Sequence, residues 1–156
     1  MTQPARSDAL VDNTTRAFIA QAVAAGQRDT PLDINPALAG LSAVLIGGAP
    51  GKLDVAFVAT EASTQGNGVV GGGTLANMLD SAMAVAVMSQ LQPGQACSTI
   101  SLSVNMQRAA QPGRLVATAE VDRIGARVAF AHAQLFDSDR RLLANATSSL
   151  AVLQSW

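Results

Sequence analysis

The sequence contains few charged and few aromatic side chains. Of its 156 residues, 10 are Lys or Arg and 11 are Asp or Glu, and the formal net charge is −1. The basic residues form no run, so the positively charged surface typical of a nucleic-acid-binding protein is missing. We therefore predict that the protein does not bind nucleic acid.

Cysteine and histidine each occur once, as Cys97 and His132. One cysteine cannot form an intrachain disulfide, and one cysteine with one histidine cannot supply a zinc-type ligand set. The sequence therefore predicts no metal site. Cys97 has no evident base partner, which favours an inert packed thiol. His132 lies far in sequence from the glycine loop described below, and we assign it a structural or interface role.

Long apolar runs are also missing. No stretch of 18 or more residues lacks polar interruption, and the first 15 residues contain no apolar core of a signal peptide. These features predict a cytoplasmic protein that does not bind a membrane. An apolar fraction of 49% is sufficient for the core of one domain, and the scarcity of surface charge is typical of a chain that associates with further copies of itself.

Caps and turn formers divide the first half of the chain. Asn13 or Thr14 can cap a helix that Gly26 ends, and two prolines and several turn formers follow. Two β-rich segments are then separated by Gly-Gly-Ala-Pro-Gly, which predicts a hairpin. The predicted elements are a helix over residues 15–26, a connector over 27–37, strands over 41–46 and 52–60, and a loop over 61–73.

The second half combines one apolar helix with a series of alternating segments. From Gly72 to about Leu91 the apolar residues surround the helical wheel, which predicts a buried helix. Four segments with period-two alternation follow over residues 98–106, 114–123, 126–136 and 142–153. Short hairpin connections join them, which predicts an uninterrupted antiparallel meander. This order predicts an α+β fold in which an antiparallel sheet of five to six strands wraps a long central helix, with an extra N-terminal helix.

Asp80 lies in the middle of the predicted buried helix, which carries almost no other charge. A buried carboxylate is unfavourable by several kcal/mol unless it is hydrogen-bonded or faces a polar cavity. A helix with one solvent-exposed strip would also explain Asp80. The functional interpretation gains support from Gly71, Gly72 and Gly73, because free amides at a helix N-terminus bind anions and developing oxyanions. A flexible glycine turn is the alternative for these residues.

The spacing between these features supports a shared site. Asp80 follows Gly73 by seven residues, so the two project within about 20° of one another around the helix axis. Helical side chains lean toward the N-terminus, which directs Asp80 back toward the glycine amides. Gly73, Ala76, Asn77 and Ala84 keep this helix face small enough for a substrate.

The sequence around these residues resembles that of the phenylacetic-acid-type hotdog thioesterases. That family shows His-Gly-Gly at the helix start, an Asp or Glu eight residues beyond the first Gly, and a strand of the type T-V-x-L-x-V-N-F-x-R-P. The helix start, the segment Asn105-Met106-Gln107-Arg108-Ala109 and the hairpin Arg123–Val128 carry the resemblance, which covers roughly residues 36–153. It implies a hotdog domain over residues 36–156, preceded by the helix and connector of residues 1–35.

The resemblance implies a set of site residues. The catalytic carboxylate falls on Asp80, the oxyanion amide on Gly72, the side-chain amide that polarises the thioester on Gln65, and the water-positioning hydroxyl on Thr99, with Ser98 as the alternative. The residues expected to contact substrate are Gly71, Gly73, Asn77, Ser98, Arg108 and Arg127. For either arginine a solvated surface side chain is the alternative. The sequence departs from the family at Gly71, which replaces the histidine, and it lacks the proline after Arg108.

The resemblance implies an acyl-CoA thioesterase that forms a homodimer or homotetramer, with its site shared across subunits, and that needs no cofactor beyond the coenzyme A of its substrate. Asp80 would act as general base toward water or as a nucleophile. The main alternative is a non-catalytic acyl-CoA-binding or structural hotdog protein, which the loss of the histidine at Gly71 favours. A hotdog hydratase would require a histidine paired with a carboxylate, and His132 lies on a different element.

Overall fold

The structure is a computed structural model that describes residues 11–154. In this range the helices are α1 (Thr14–Ala24), α2 (Pro36–Gly40) and α3 (Gly72–Met88), with a 3-10 turn at Glu61–Ser63. The strands are β1 (Thr30–Pro31), β2 (Val44–Ala49), β3 (Lys52–Ala59), β4 (Gln95–Met106), β5 (Gly113–Ile124), β6 (Val128–Phe136) and β7 (Leu142–Gln154).

All seven strands form one antiparallel sheet in the order β1-β2-β3-β5-β6-β7-β4. Helix α3 follows β3 and packs against β3, β4, β5, β6 and β7 on one face of the sheet. The chain then continues into β4, which lies at the far edge beside β7 and not beside β5. The predicted hairpin between β4 and β5 is therefore wrong, because β5 pairs with β3 and the connection between β4 and β5 crosses from one edge strand to the middle of the sheet. The predicted hotdog fold is confirmed, and the sheet contains the six predicted strands together with the two-residue strand β1.

The core lies between α3 and the sheet. Eight side chains of α3 are buried around its circumference, as the sequence predicts for a central helix. The helix-facing positions of β6 alternate along the strand and are mostly alanines, Ala129, Ala131 and Ala133, each at most 1% exposed. Because these side chains are small, the helix can approach the sheet closely.

Helix α1 begins where the sequence predicts. The Asn13 side chain accepts a hydrogen bond from the Arg16 N–H at 3.0 Å and so caps the helix. Ile19, Ala22 and Val23 belong to the same hydrophobic cluster as α3. The proposed division of the chain at residue 35 remains a prediction.

An ion pair anchors α1 to the segment that links α3 and β4. The Arg16 guanidinium is 7% exposed and donates to the Leu91 carbonyl at 2.9 Å. The Asp12 carboxylate accepts from the Arg16 Nε at 2.8 Å and from the Gly94 N–H at 3.0 Å. This network fixes the end of α3 and the start of β4 relative to the N-terminal helix.

The predicted connector over residues 27–37 contains more structure than the sequence analysis assigned. It includes β1 and the start of α2, whose N-cap Asn35 accepts from the Leu38 N–H at 2.9 Å. The signal for α2 is present in the sequence, because Asn35 followed by Pro36 is typical of a helix start. Strand β2 begins at Val44 rather than residue 41, since residues 41–43 follow α2 directly.

Candidate active site

Helix α3 begins with a run of glycines and has no side-chain cap. Gly71 is the N-cap residue, and its carbonyl accepts the Thr74 N–H at 3.0 Å. Gly72 and Gly73 are exposed, and among the described residues neither backbone N–H has a hydrogen-bond partner. The first amides of the helix are therefore available to an external acceptor, at the end where the helix dipole favours negative charge.

Asp80 lies half-buried in the middle of α3 and is the one charged residue of that helix. Its Oδ1 atom accepts a hydrogen bond from the Thr99 hydroxyl at 2.8 Å. Thr99 lies on β4, where it is paired with the buried residue Leu150 and so faces the helix. The structure thus brings together two of the predicted catalytic side chains from different elements.

Ser98, the alternative hydroxyl, lies beside Thr99 on β4. Successive side chains of a strand point to opposite faces, so Ser98 faces away from α3 while Thr99 faces it. Ser98 is exposed and is paired with Ala151. Of the two hydroxyls, Thr99 is the one that contacts Asp80.

Strand β4 runs antiparallel to α3 along most of the helix. Near the start of the strand, Cys97 Sγ lies 4.0 Å from the Ala84 carbonyl, and near its end Met106 Cε lies 3.5 Å from the position of a Cβ added at Gly72. The helix-facing residues Leu102 and Met106 are 37% and 47% exposed. They form an exposed apolar strip on β4, the strand whose Thr99 contacts Asp80.

Leu102 and Met106 were not among the predicted site residues. Their sequence signal is the alternation of Leu102, Val104 and Met106 on a strand that lies at the edge of the sheet. Alternation alone predicts a half-buried face, and the edge position that leaves this face open depends on the order of the strands.

Burial makes Cys97 a poor nucleophile. Loss of water around the thiol, together with the nearby Asp80 carboxylate, raises the pKa of Cys97 from 9.0 to about 11. The thiol is therefore protonated at neutral pH, in agreement with the inert role predicted from the sequence.

The loop before α3 holds Gln65 close to the start of the helix. Gln65 is exposed, and its N–H donates to the Val69 carbonyl at 2.9 Å. The Val70 N–H donates to the Ala110 carbonyl at 2.8 Å, which joins this loop to the segment that contains Arg108. Gln65 and the exposed Arg108 thus lie at the same end of the molecule as the glycine amides.

Two further predicted residues lie in different surroundings. Asn77 is exposed on α3, and its Oδ1 accepts from the Ser81 hydroxyl at 3.4 Å. Arg127 lies in the turn between β5 and β6, where its carbonyl accepts the Val152 N–H at 2.8 Å. That turn is at the opposite end of the sheet from Arg108, so one chain does not bring the two arginines together.

His132 lies on the face of the sheet opposite α3. Its Nδ1 is 2.7 Å from Asp122 Oδ1, and its Nε2 is 3.8 Å from Glu120 Oε2. Among residues 11–154 no group of three or more His, Cys, Asp or Glu side chains could hold a metal ion. No helix in the part of the chain that the structure describes is long and apolar enough to cross a membrane.

Comparison with known proteins agrees with this arrangement. Residues 67–144, half of the chain, match the thioesterase superfamily. No curated protein sequence matches the chain. A crystal structure of a phenylacetic acid degradation-related protein from Ralstonia eutropha is 36% identical, with a TM-score of 0.71, and the match covers 75% of this chain and 90% of that one.

Two further solved structures share the fold. A thioesterase family protein from Silicibacter pomeroyi is 26% identical with a TM-score of 0.75, covering 90% of this chain and 99% of that chain. The PaaI protein of the E. coli phenylacetic acid degradation operon is 20% identical with a TM-score of 0.74, covering 94% and 98%. The chain belongs to the thioesterase superfamily, and its resemblance to the phenylacetic-acid-type members is confirmed.

Proposed function

We propose that this protein is an acyl-CoA thioesterase in which Asp80 is the catalytic carboxylate. The observation that carries the proposal is the 2.8 Å hydrogen bond from the Thr99 hydroxyl to Asp80, on a helix that bears no other charge. Membership of the thioesterase superfamily supports thioester hydrolysis as the reaction. Asp80 supplies the acid–base or nucleophilic group that this reaction needs.

Thr99 engages one carboxylate oxygen of Asp80 and leaves the other available. Among the described residues no group donates a hydrogen bond to Oδ2. This oxygen can take a proton from a water molecule that attacks the thioester carbon. Alternatively it attacks the carbon itself, releases the thiolate of coenzyme A and forms an anhydride that water then hydrolyses. The proposal includes both routes, because both use the same oxygen.

The Gly72 amide is the proposed oxyanion donor. Negative charge develops on the thioester oxygen during attack, and a fixed N–H at a helix start stabilises that charge without reorganisation. The free amides of Gly72 and Gly73 and their exposed position support this assignment. Gln65, in the adjacent loop, is the proposed second donor.

The separation of these groups along α3 supports a site shared between two subunits. Asp80 follows Gly72 by eight residues, which is about 12 Å of helix. An attacking atom must lie about 3 Å from the carbonyl carbon, and an oxyanion donor about 3 Å from the carbonyl oxygen. Groups about 12 Å apart on one helix axis are too distant to act together on one carbonyl. We infer that Asp80 of one subunit acts with Gly72 of a second.

Strand β4 supplies a suitable edge for that second subunit. It has 12 residues, none of which is charged or proline, whereas β1 at the other edge has two residues and includes Pro31. Natural edge strands are usually protected by charge, proline or short length. A long neutral edge therefore favours pairing, and a two-fold antiparallel pair of β4 strands would continue the sheet into the partner.

One register of this pair would complete the site. Directly opposed residues must lie on the same face of the sheet, and a bulge occurs between Thr99 and Ser101. With Ser103 on the two-fold axis, Thr99 and the bulged Ile100 lie opposite Met106 of the partner subunit. Asp80 contacts Thr99, and Gly72 lies beside Met106, so this register brings Asp80 next to the partner's glycine amides.

The same register supports coenzyme A binding by both predicted arginines. Antiparallel pairing sets the Arg127 end of one subunit alongside the Arg108 end of the other. Guanidinium groups bind phosphates through paired hydrogen bonds. The remaining predicted contacts on α3 and β4, Gly71, Gly73, Asn77 and Ser98, are the proposed contacts of the acyl and pantetheine portions.

The catalytic proposal is tested by thiol release from acyl-CoA substrates. Asp80→Asn should lower kcat/KM by at least about 100-fold, because it removes the general base or nucleophile. Asp33→Asn, which removes an exposed carboxylate between β1 and α2, is the matched control and should retain full activity. If wild-type protein is stabilised thermally by acyl-CoA but releases no thiol, the non-catalytic alternative is correct.

The proposed subunit pairing is tested by disulfide trapping. Ser103→Cys should form a covalent dimer on mild oxidation, because opposed Cα atoms at a two-fold axis lie about 5 Å apart. Ser101→Cys is the control, since its counterpart lies four residues away, about 13 Å along the strand. Efficient trapping of the Ser101→Cys variant, or none with Ser103→Cys, would reject this register.

A further inference from the structure

A cavity of about 550 Å³ opens on the face of the sheet opposite α3. Its floor is apolar and consists of Ile46, Val116 and Phe136. This volume lies within the range of small-molecule sites, which combine an apolar floor with a few polar groups. The cavity is separated from Asp80 by the sheet, so it is not part of the proposed active site.

The cavity has a cationic end. Arg114 on β5 and Arg140 in the turn between β6 and β7 both line it, together with Asp137 of the same turn. Among the described residues, neither guanidinium forms a hydrogen bond or an ion pair. Asp137 does not neutralise Arg140, because its carboxylate accepts the N–H groups of Asp139 and Arg141 at 2.9 Å and lies 3.5 Å from the Arg141 Nε.

The backbone at Arg140 is unusual for an arginine. Its φ is 62°, a left-handed conformation that favours glycine or asparagine. The turn is closed by backbone groups and by Asp137, so its hydrogen bonds do not require the Arg140 side chain. An arginine in this position is therefore not explained by the fold and is consistent with a ligand-binding role.

The strand register defines the order in which charged, apolar and polar groups line the cavity. Arg114, Val116 and Thr118 alternate along β5 on the outer face, so the cationic end and Thr118 are about 13 Å apart. Val116 is paired with Phe136, and Thr118 is paired with Asp54. The cavity thus passes from two arginines, across an apolar floor, to a hydroxyl and a carboxylate. Asp54 at the far end disfavours a ligand with a second negative charge.

We propose that this cavity binds a monocarboxylate with a hydrophobic body, such as an aryl- or alkyl-carboxylic acid. The carboxylate would pair with Arg114 and Arg140, because the guanidinium fork matches carboxylate geometry. The hydrophobic body would cover Val116 and Phe136. The proposal concerns binding alone and does not depend on the activity proposed for Asp80.

Titration calorimetry with phenylacetate, acetate and 2-phenylethanol tests the proposal. Phenylacetate should bind saturably. Acetate, which lacks the apolar body, and 2-phenylethanol, which lacks the charge, should both bind more weakly. Arg114→Gln and Arg140→Gly should each weaken phenylacetate binding by about tenfold or more, since each removes a charge-assisted contact. Glycine adopts the positive φ of Arg140 without strain, so Arg140→Gly should keep the fold, which circular dichroism checks.

Two controls define the outcome. Lys52→Gln removes a positive charge from the same face outside the cavity, and it should leave the dissociation constant unchanged. Asp80→Asn should also leave it unchanged, so this test is separate from that of thioester hydrolysis. The proposal is overturned if phenylacetate does not bind, if both arginine variants bind it as tightly as wild type, or if acetate or 2-phenylethanol binds equally well.

Discussion

A single hydrogen bond distinguishes two neighbouring hydroxyls at the candidate site. Thr99 donates to Asp80, and Ser98 faces the other side of β4. Because successive side chains of a strand point to opposite faces, only one of these two hydroxyls can face α3. The sequence alone did not distinguish Ser98 from Thr99, because the bulge after Thr99 reverses which alternate side chains face the helix. No residue pattern in that segment predicts a bulge.

Removal of the Thr99 hydroxyl should impair catalysis without unfolding the protein. Thr99→Val keeps the shape of the side chain and leaves Asp80 without its positioning hydrogen bond. A lost hydrogen bond to a charged group corresponds to about 1–3 kcal/mol, so we expect kcat/KM to fall about tenfold or more. Thr99→Ser should restore most of the activity. Equal activity of the Val and Ser variants in thiol-release assays would show that the hydroxyl has no role.

The Gly72 amide can be removed by one substitution that suits the helix. Gly72 is the first residue of α3, and Gly71 before it has extended backbone angles, φ −62° and ψ 143°. Proline is favoured at the first helical position and requires extended backbone angles in the residue before it, and both conditions hold at residue 72. Because proline has no N–H, the substitution removes the proposed oxyanion donor. Gly72→Pro should therefore fold and lower kcat about 100-fold or more through loss of the oxyanion donor.

Gly72→Ala is the matched control for this variant. It retains the N–H, and its Cβ would lie 3.5 Å from Met106 Cε, an ordinary contact. Steady-state kinetics on both variants, with circular dichroism to confirm folding, separates the amide from the space around it. If Gly72→Pro hydrolyses substrate as fast as Gly72→Ala, the oxyanion assignment is wrong.

Among the elements, α1 depends on an ion pair that pH can weaken. The hydrogen bond from Arg16, followed by that from the Gly94 N–H, lowers the pKa of Asp12 from 3.8 to about 2. A carboxyl group whose pKa is lower in the folded state stabilises the fold fully above its unfolded pKa. That stabilisation is lost as the pH falls from about 4 to about 2.

Asp12→Asn should therefore be less stable than wild type near neutral pH, and the difference should shrink in acid. Urea denaturation of both proteins at about pH 6 and about pH 3 measures this change. Within residues 11–154 the Asp33 carboxylate has no hydrogen bond or ion pair, so Asp33→Asn should show no comparable difference. A stability difference for Asp12→Asn that does not change between the two pH values would contradict the role of the ion pair.

Hydrophobic patterns in the sequence predicted most helices and strands, because in these elements the pattern repeats regularly over many residues. The four alternating segments and the apolar helix correspond to β4–β7 and α3, and their order along the chain predicted a sheet wrapped around a helix. Short elements were missed for a physical reason. Strand β1 has two residues, too few to show any period, and α2 has five residues and is set by its Asn35 cap.

The whole molecule determines which groups can act together. The family resemblance implied a site shared across subunits, whereas the helix spacing read from the sequence suggested a site within one chain. Gly73 and Asp80 project to one side of α3, which suggested that the glycine amides and the carboxylate of one chain share one carbonyl. The rise of the helix separates Gly72 and Asp80 by about 12 Å, so side-by-side projection does not imply proximity. The strand order, with β4 at an open edge, indicates instead how two chains can complete one site.

Mixing two inactive variants tests the shared site most directly. In a mixed dimer of Asp80→Asn and Gly72→Pro chains, one site would contain both defects and the other would contain intact Asp80 and intact Gly72. If subunits mix statistically, thiol release should recover to about a quarter of the wild-type rate. If instead each chain carries its own complete site, the mixture would stay as inactive as its separate components, which would contradict the account.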